Sequence, residues 1–177
     1  GQELDTLSYI IAVEELSRVD GSTAATIAAD NSLGISPIKE YGTKEQKEKY
    51  LPRLCKSHLW GFGLTEETAG CDSRGTKSTA RMEGDKWILD GTKIFITNSA
   101  TPMTLGSTVQ VVSGEKNGKP EFTTFLMEND VPGFTQEPMN RKMMWRASNT
   151  GRLTFNNVEL SKDNMLGAQG KNFSAEM

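Results

Sequence analysis

Two stretches of the sequence carry residue types suited to holding a flat, polar ligand. In Phe62-Gly63-Leu64-Thr65-Glu66-Glu67-Thr68-Ala69-Gly70-Cys71-Asp72 an apolar run ends in a turn rich in hydroxyls and small side chains. Backbone N–H groups freed at such a turn, with the Thr65 and Thr68 hydroxyls beside them, form a cradle for phosphate or heteroaromatic oxygens. The same residues also fit a polar loop that does no more than cap a strand. In Gly91-Thr92-Lys93-Ile94-Phe95-Ile96-Thr97-Asn98, strand alternation sets Phe95 and Thr97 on one face. They offer a planar ring both a stacking surface and a hydrogen bond. An aromatic buried between a sheet and helices is the competing reading of Phe95.

Other chemistries are poorly supplied. His58 is the only histidine, so a Ser–His–Asp hydrolase or a histidine-rich metal site would have to be built around that one side chain, which reads as a solvated residue after a helix. Cys55 and Cys71 are isolated thiols with neither a disulfide framework nor metal-ligand spacing. Glu66, Glu67 and Asp72 near Cys71 argue against a reactive thiolate. No metal site is expected. Net charge is −3 over 177 residues, which does not mark a nucleic-acid binder. That charge is unevenly spread: residues 1–36 carry six acids against Arg18, and residues 37–60 carry six bases against three acids. No apolar run approaches the ~20 residues that cross a bilayer, and the first residues lack the basic-then-apolar signature of a signal peptide. A soluble, cytoplasmic protein with no membrane contact is expected, its cysteines in a reducing compartment.

The elements that must position these stretches change character near residue 60. Before it the apolar spacing is helical. Leu4, Leu7, Ile11 and Leu16, flanked by Ile10 and Val19, predict a helix over residues 4–19. Gly21 suits a left-handed cap and Ser22 the next N-cap, opening an alanine-rich, buried helix over residues 23–33. A short helix follows over residues 36–41. Thr43 and Gln46 then form a capping box for a helix reaching residue 54. Beyond Trp60, strands are predicted over residues 60–65, 76–82, 86–97, 107–112, 122–127 and 151–158, separated by turn clusters such as Val131-Pro132-Gly133. The fold class is α+β: an N-terminal α-helical segment, residues 1–59, then an antiparallel β-sandwich or barrel-like middle domain, residues 60–161. Residues 162–177 read as a connection running into a further helix, so the sequence is expected to be a central piece of a larger enzyme.

Taken together, the sequence resembles the acyl-CoA dehydrogenase family. The resemblance runs from Gly1 to Lys171 and is carried by Glu14-Glu15-Leu16-Ser17-Arg18, Asn31-Ser32-Leu33, Gly42-Thr43-Lys44-Glu45-Gln46-Lys47, Leu51-Pro52 and the two stretches above. Further on, Pro132-Gly133-Phe134, Phe155-Asn156-Asn157-Val158 and Asn164-Met165-Leu166-Gly167 also match. The variant Lys93-Ile94-Phe95-Ile96-Thr97-Asn98 is closest to the short-chain, butyryl-CoA type.

The resemblance implies an FAD enzyme that converts an acyl-CoA thioester to a trans-2-enoyl-CoA and passes electrons to an electron-transferring flavoprotein. It implies a homo-oligomer, a tetramer at full length, whose catalytic base lies in a C-terminal helical bundle beyond Met177. No catalytic residue is therefore expected in this chain. Phe62, Leu64 and Thr65 fall where the family contacts the flavin ring, and Phe95, Ile96 and Thr97 follow, with the Thr97 hydroxyl expected at flavin N5. Cys71 falls where a serine is usual, near the pyrophosphate and the pantetheine of the substrate. Phe95 stands for a commoner tryptophan, Glu67 for a proline, and Trp145 occurs where a small residue is commoner. A related flavoprotein oxidase and a non-catalytic binding or assembly module are the alternatives. With the bundle absent, exposed apolar surface is expected on residues 23–33 and 139–145.

Overall fold

The computed structural model describes residues 4–170. Its helices come first. α1 (Thr6–Val19) is capped by Asp5, whose carboxylate accepts from the Ser8 amide. α2 (Gly21–Ala29) is capped by Asp20, which accepts from the amides of Ser22 and Thr23. The cap is therefore Asp20 rather than Ser22, and Gly21 is the first helical residue, with no left-handed conformation. The two Asp20 oxygens reach the Ser22 and Thr23 amides together, so the helix starts at Gly21 and Ser22 lies inside it. α2 then widens into a π-helix, Asp30–Ile35, before α3 (Ser36–Tyr41) and α4 (Lys44–Leu54). Thr43 and Gln46 close the predicted capping box of α4.

The strands are β1 (Leu59–Gly63), β2 (Thr79–Glu83), β3 (Lys86–Thr97), β4 (Thr104–Lys116), β5 (Lys119–Glu128), β6 (Phe134–Pro138) and β7 (Thr150–Ser161). They form one seven-stranded sheet in the order β1-β4-β2-β3-β7-β6, with β5 on the other edge of β4. Helices followed by a strand domain are as the sequence predicts. Most pairings are antiparallel, but β1 and β2 both run parallel to β4, so the sheet is mixed. β1 pairs up to Val109 and β2 takes over at Val112. The long turn between β1 and β2 thus lies where the edge of β4 passes from one strand to the other. β6 is an additional strand that the sequence patterning does not mark.

Two apolar clusters hold the molecule together. One fills the sheet interior with Trp87, Leu89, Val109, Phe125, Leu153 and Phe155 among others. The second joins helices to sheet through Ile38, Tyr50, Leu54, Trp60, Leu126 and Leu166. Trp60 is its pivot. Its ring nitrogen donates to Thr108 Oγ1 at 2.8 Å, its ring meets Tyr50 at 5.0 Å, and its amide donates to Asp30 Oδ1 at 2.9 Å. The π-helix comes so close to β1 that a Cβ on Gly34 would stand 2.6 Å from the Trp60 carbonyl oxygen.

Much of the apolar stripe of α1 is exposed, at Leu7, Ile10, Ile11 and Val19 and at Leu4 just before the helix, while Leu16 is half-buried and no residue of the helix is fully buried. Exposed apolar surface therefore sits on α1 and on Met143, Met144 and Trp145, as expected for the latter. α2 is mostly half-buried, with Leu33 in the π-helix the exposed apolar residue of 23–33. The predicted run-in to a further helix extends past Gly170, outside the described residues. Among the described residues no helix is long and apolar enough to cross a membrane.

Burial pushes the Asp30 carboxyl up to about 6 from 3.8, against the single hydrogen bond from the Trp60 amide. The folded state therefore binds a proton more tightly than the unfolded chain, and its stability falls as pH rises between the two values. Asp30→Asn keeps an acceptor for the Trp60 amide and carries no charge. The variant is expected to gain stability relative to the parent chain between about pH 4 and pH 6, then hold a constant advantage. Urea unfolding of both chains across that range checks this; a pH-independent difference would contradict it.

Candidate functional site

The two chemistry-bearing stretches meet in space. β1 delivers the first: Trp60 faces the helices, and Phe62, two residues on, shares its face half-buried. On the opposite face there is no room, since a Cβ on Gly63 would lie 3.0 Å from Val109 Cγ1 and 3.3 Å from Lys93 Cγ. The chain then leaves the sheet through Leu64 and Thr65, both half-buried. Residues 66–69 form a tight turn, with Glu66 N to Ala69 O at 2.9 Å and Ala69 N to Glu66 O at 3.2 Å. The Ile94 amide donates to the Thr65 carbonyl at 2.9 Å, which sets Thr65 against β3 one residue from Phe95.

On β3 the ladder with β7 slips between Lys93 and Ile96, which face Leu153 and Gly151. β3 thus carries one extra residue, a bulge. Phe95 takes φ +59° there, a conformation that costs a non-glycine residue about 1 kcal/mol or more. Ile94 and Ile96 are buried, whereas Phe95 is 61% exposed. Ile96 packs in the sheet interior, so only its backbone faces the site. Thr97 is half-buried and pairs with Thr150. The Thr65 and Thr97 hydroxyls take no partner among the described residues. Asn98, fully buried at φ +64°, donates to the Thr26 carbonyl of α2 at 2.9 Å and leaves its Oδ1 unpaired.

Cys71 is placed differently. It is exposed, outside any disulfide, beside the Asp72-capped 3₁₀ turn Ser73–Gly75, and nothing draws it to Thr65 or Phe95. Glu67, replacing a proline in the resemblance, pairs with Arg152 of β7 at 2.6 Å on the surface, so its charge is met.

Sequence reasoning missed the most buried part of the site. Lys93 has no exposed surface, and its Nζ donates to Glu66 Oε1 at 2.7 Å and to the Leu64 carbonyl at 3.2 Å. Glu66 also accepts from the amides of Lys77 at 2.7 Å and Ser78 at 3.1 Å. Burial pushes the Glu66 carboxyl up, but Lys93 and the two amides outweigh it and hold it below the usual value. Burial holds the Lys93 ammonium below its usual value, with Glu66 opposing that shift. The available signal was a lysine inside an otherwise apolar strand run.

An aromatic ring held outward at energetic cost, next to two unengaged hydroxyls and a tight turn, fits a planar heteroaromatic group with polar edges. The residues present therefore suit a flavin ring. Two open depressions of about 510 and 490 Å³ lie elsewhere, one beside Pro132, Gly133 and residues 156–161, the other within residues 139–150.

The acyl-CoA dehydrogenase N-terminal domain pattern matches residues 1–58, and the acyl-CoA dehydrogenase middle domain pattern matches residues 61–158. A short-chain specific acyl-CoA dehydrogenase of Clostridium acetobutylicum is 41% identical over 98% of this chain and 45% of its own length. The butyryl-CoA dehydrogenase structure of Megasphaera elsdenii superposes with a TM-score of 0.89 at 39% identity, covering 98% of this chain and 45% of that one. A Bacillus anthracis acyl-CoA dehydrogenase complexed with FAD superposes at 0.88 with 35% identity, over 99% of this chain and 30% of that one. The chain spans about half the length of the curated relatives it matches.

If the strain at Phe95 is kept for a ligand rather than for the fold, relieving it should not weaken the protein. Phe95→Gly is expected to unfold at the same or a higher urea concentration, by up to about 1 kcal/mol. A loss of 2 kcal/mol or so would show instead that the ring supports the core.

Proposed function

The chain belongs to the acyl-CoA dehydrogenase family, and from that premise we propose that its 64–69 turn and β3 bulge hold the isoalloxazine ring of FAD. The enzyme so formed dehydrogenates a short acyl-CoA thioester, of the butyryl-CoA class, to its trans-2-enoyl-CoA and delivers the electrons to an electron-transferring flavoprotein. The observation that carries the reading is Phe95, an exposed aromatic ring on a strained bulge whose neighbour Ile94 is hydrogen-bonded to Thr65.

FAD, when bound, supplies the acceptor for the substrate's β-hydride. The protein residues bind and orient. Phe95 offers a stacking face, Thr65 and Thr97 offer hydroxyl donors, and Leu64 and Ile96 contribute backbone. Phe62 lines the same approach from β1. Fixed donors at the polar edge of a ring favour its more negative, reduced form, which is how a protein tunes a cofactor that owns the chemistry. We assign Cys71 to the outer part of the site, beside the pyrophosphate and the pantetheine arm of the substrate, as a weak donor in a serine's place.

The α-proton needs a base. Glu66, bonded to Lys93 just before the bulge, is consumed by that ammonium and two amides and has no capacity for that task. We assign the base to a segment beyond Met177 and divide this chain into residues 1–59 of a helical domain, a middle domain over residues 60–161 and a connection over 162–177. A cytoplasmic homo-oligomer, tetrameric at full length, completes the reading.

Phe95→Ala is expected to weaken FAD binding several-fold, since stacking of this kind contributes ~0.5–1.5 kcal/mol beyond burial. Quenching of flavin fluorescence on titration measures it, and unchanged affinity would remove Phe95 from the ring site. The 177-residue chain is expected to reduce no dye with butyryl-CoA, even when supplied with FAD. Turnover would mean that the base lies inside it.

A further inference from the structure

We propose that Lys93 and Glu66 form a positioning pair that sets the spacing between the two ring-holding segments, so that flavin affinity depends on the pair beyond its effect on folding. The proposal rests on the reading of residues 64–69 and 95–97 as the flavin site. Lys93 stands two residues before Phe95 and immediately before the bulge. Glu66 stands one residue after Thr65. A bulge re-aims the residue it carries, and loss of what holds its flanking residues would let that aim drift. Lys93 prevents this from one side: its stem packs beneath Gly63 and its ammonium reaches both the Leu64 carbonyl and Glu66.

Glu66 answers from the other side. Its two oxygens take the ammonium and the amides of Lys77 and Ser78, just before β2. Three separate segments are thereby fixed to one buried point. The Ile94 to Thr65 hydrogen bond lies between, so a shift of either segment would break it.

Stability alone does not account for such a pair. Removing two charges from water is costly, and well-packed apolar replacements of similar volume are often equally stable or better. What apolar replacements lack is direction. An ammonium aimed at a carboxylate and a carbonyl defines one register, where a methionine in the same channel would tolerate several. The exposed Glu67–Arg152 pair nearby has solvent as an alternative partner and exerts no comparable constraint.

The test uses the full chain and the variants Lys93→Met, Glu66→Gln and the double variant, with three readouts. Urea unfolding reports the fold, amide hydrogen exchange over residues 64–69 without FAD reports the turn, and flavin fluorescence titration reports affinity. Each single variant leaves one buried polar partner unmet and is expected to lose stability. The double variant is expected to recover most of it, yet to keep exchange in the turn about tenfold faster and FAD affinity about tenfold weaker than the parent. Recovery of protection and affinity together with stability would overturn the proposal, as would single variants that bind FAD like the parent. A parent chain that takes up no FAD, with the exchange result intact, would overturn the flavin reading and leave the pair's control of the turn standing.

Discussion

Lys93 carries its positive charge into the middle of a sheet, with no exposed surface, and among the described residues the carboxylate that meets it is Glu66 at 2.7 Å. An unpaired ammonium there would be intolerable, so the turn after β1 must come back to bring its carboxylate to that spot. In doing so it places Thr65 against Ile94 and delivers Lys77 and Ser78 to the start of β2. The changeover of β4's edge from β1 to β2, the closing of the 66–69 turn and the proximity of Thr65 to Phe95 all follow from satisfying one buried cation.

The helices are tied to the same region by a second set of contacts. Asp30 in the π-helix accepts from the Trp60 amide, Trp60 reaches Thr108 on β4, and Asn98 at the end of β3 reaches the Thr26 carbonyl of α2. β1 and β3, which flank the proposed site, are therefore both bonded to the α2–π-helix segment. π-turns inside helices often occur at functional sites. Here the widened turn positions the buried Asp30 and lets Gly34 approach the Trp60 carbonyl.

What was legible in the sequence was local. The Thr43–Gln46 capping box opens α4 where the pattern says, Pro37 marks α3, and β3 spans its predicted residues 86–97 because turns bound it on both sides. Alternation places Phe95 and Thr97 either side of the buried Ile96, but it does not foresee the bulge, which sets Lys93 and Ile96 on one face three residues apart. The rest depends on distant partners. Parallel pairing of β1 with β4 joins residues more than forty apart and leaves no local trace. β6 is a short edge strand ending in proline, recognisable only from its ladder with β7. α1 shows a convincing apolar stripe, yet Leu7, Ile10 and Ile11 are exposed while Tyr9, Val13 and Leu16 are only half-buried. The burial of Lys93 shows in the sequence only as a lysine among apolar strand residues, and its partner Glu66 lies across a turn that local spacing does not connect to it.

The central claim is that the 64–69 turn and the β3 bulge together form the flavin ring site. Amide chemical shifts of the isotopically labelled chain, followed while FAD is added, test it residue by residue. The largest changes should fall on Thr65, Glu66, Phe95, Ile96 and Thr97, two segments separated in sequence and responding with one affinity. Changes centred on Pro132, Gly133 and residues 156–161, or on residues 139–150, with the turn and bulge unmoved, would contradict it.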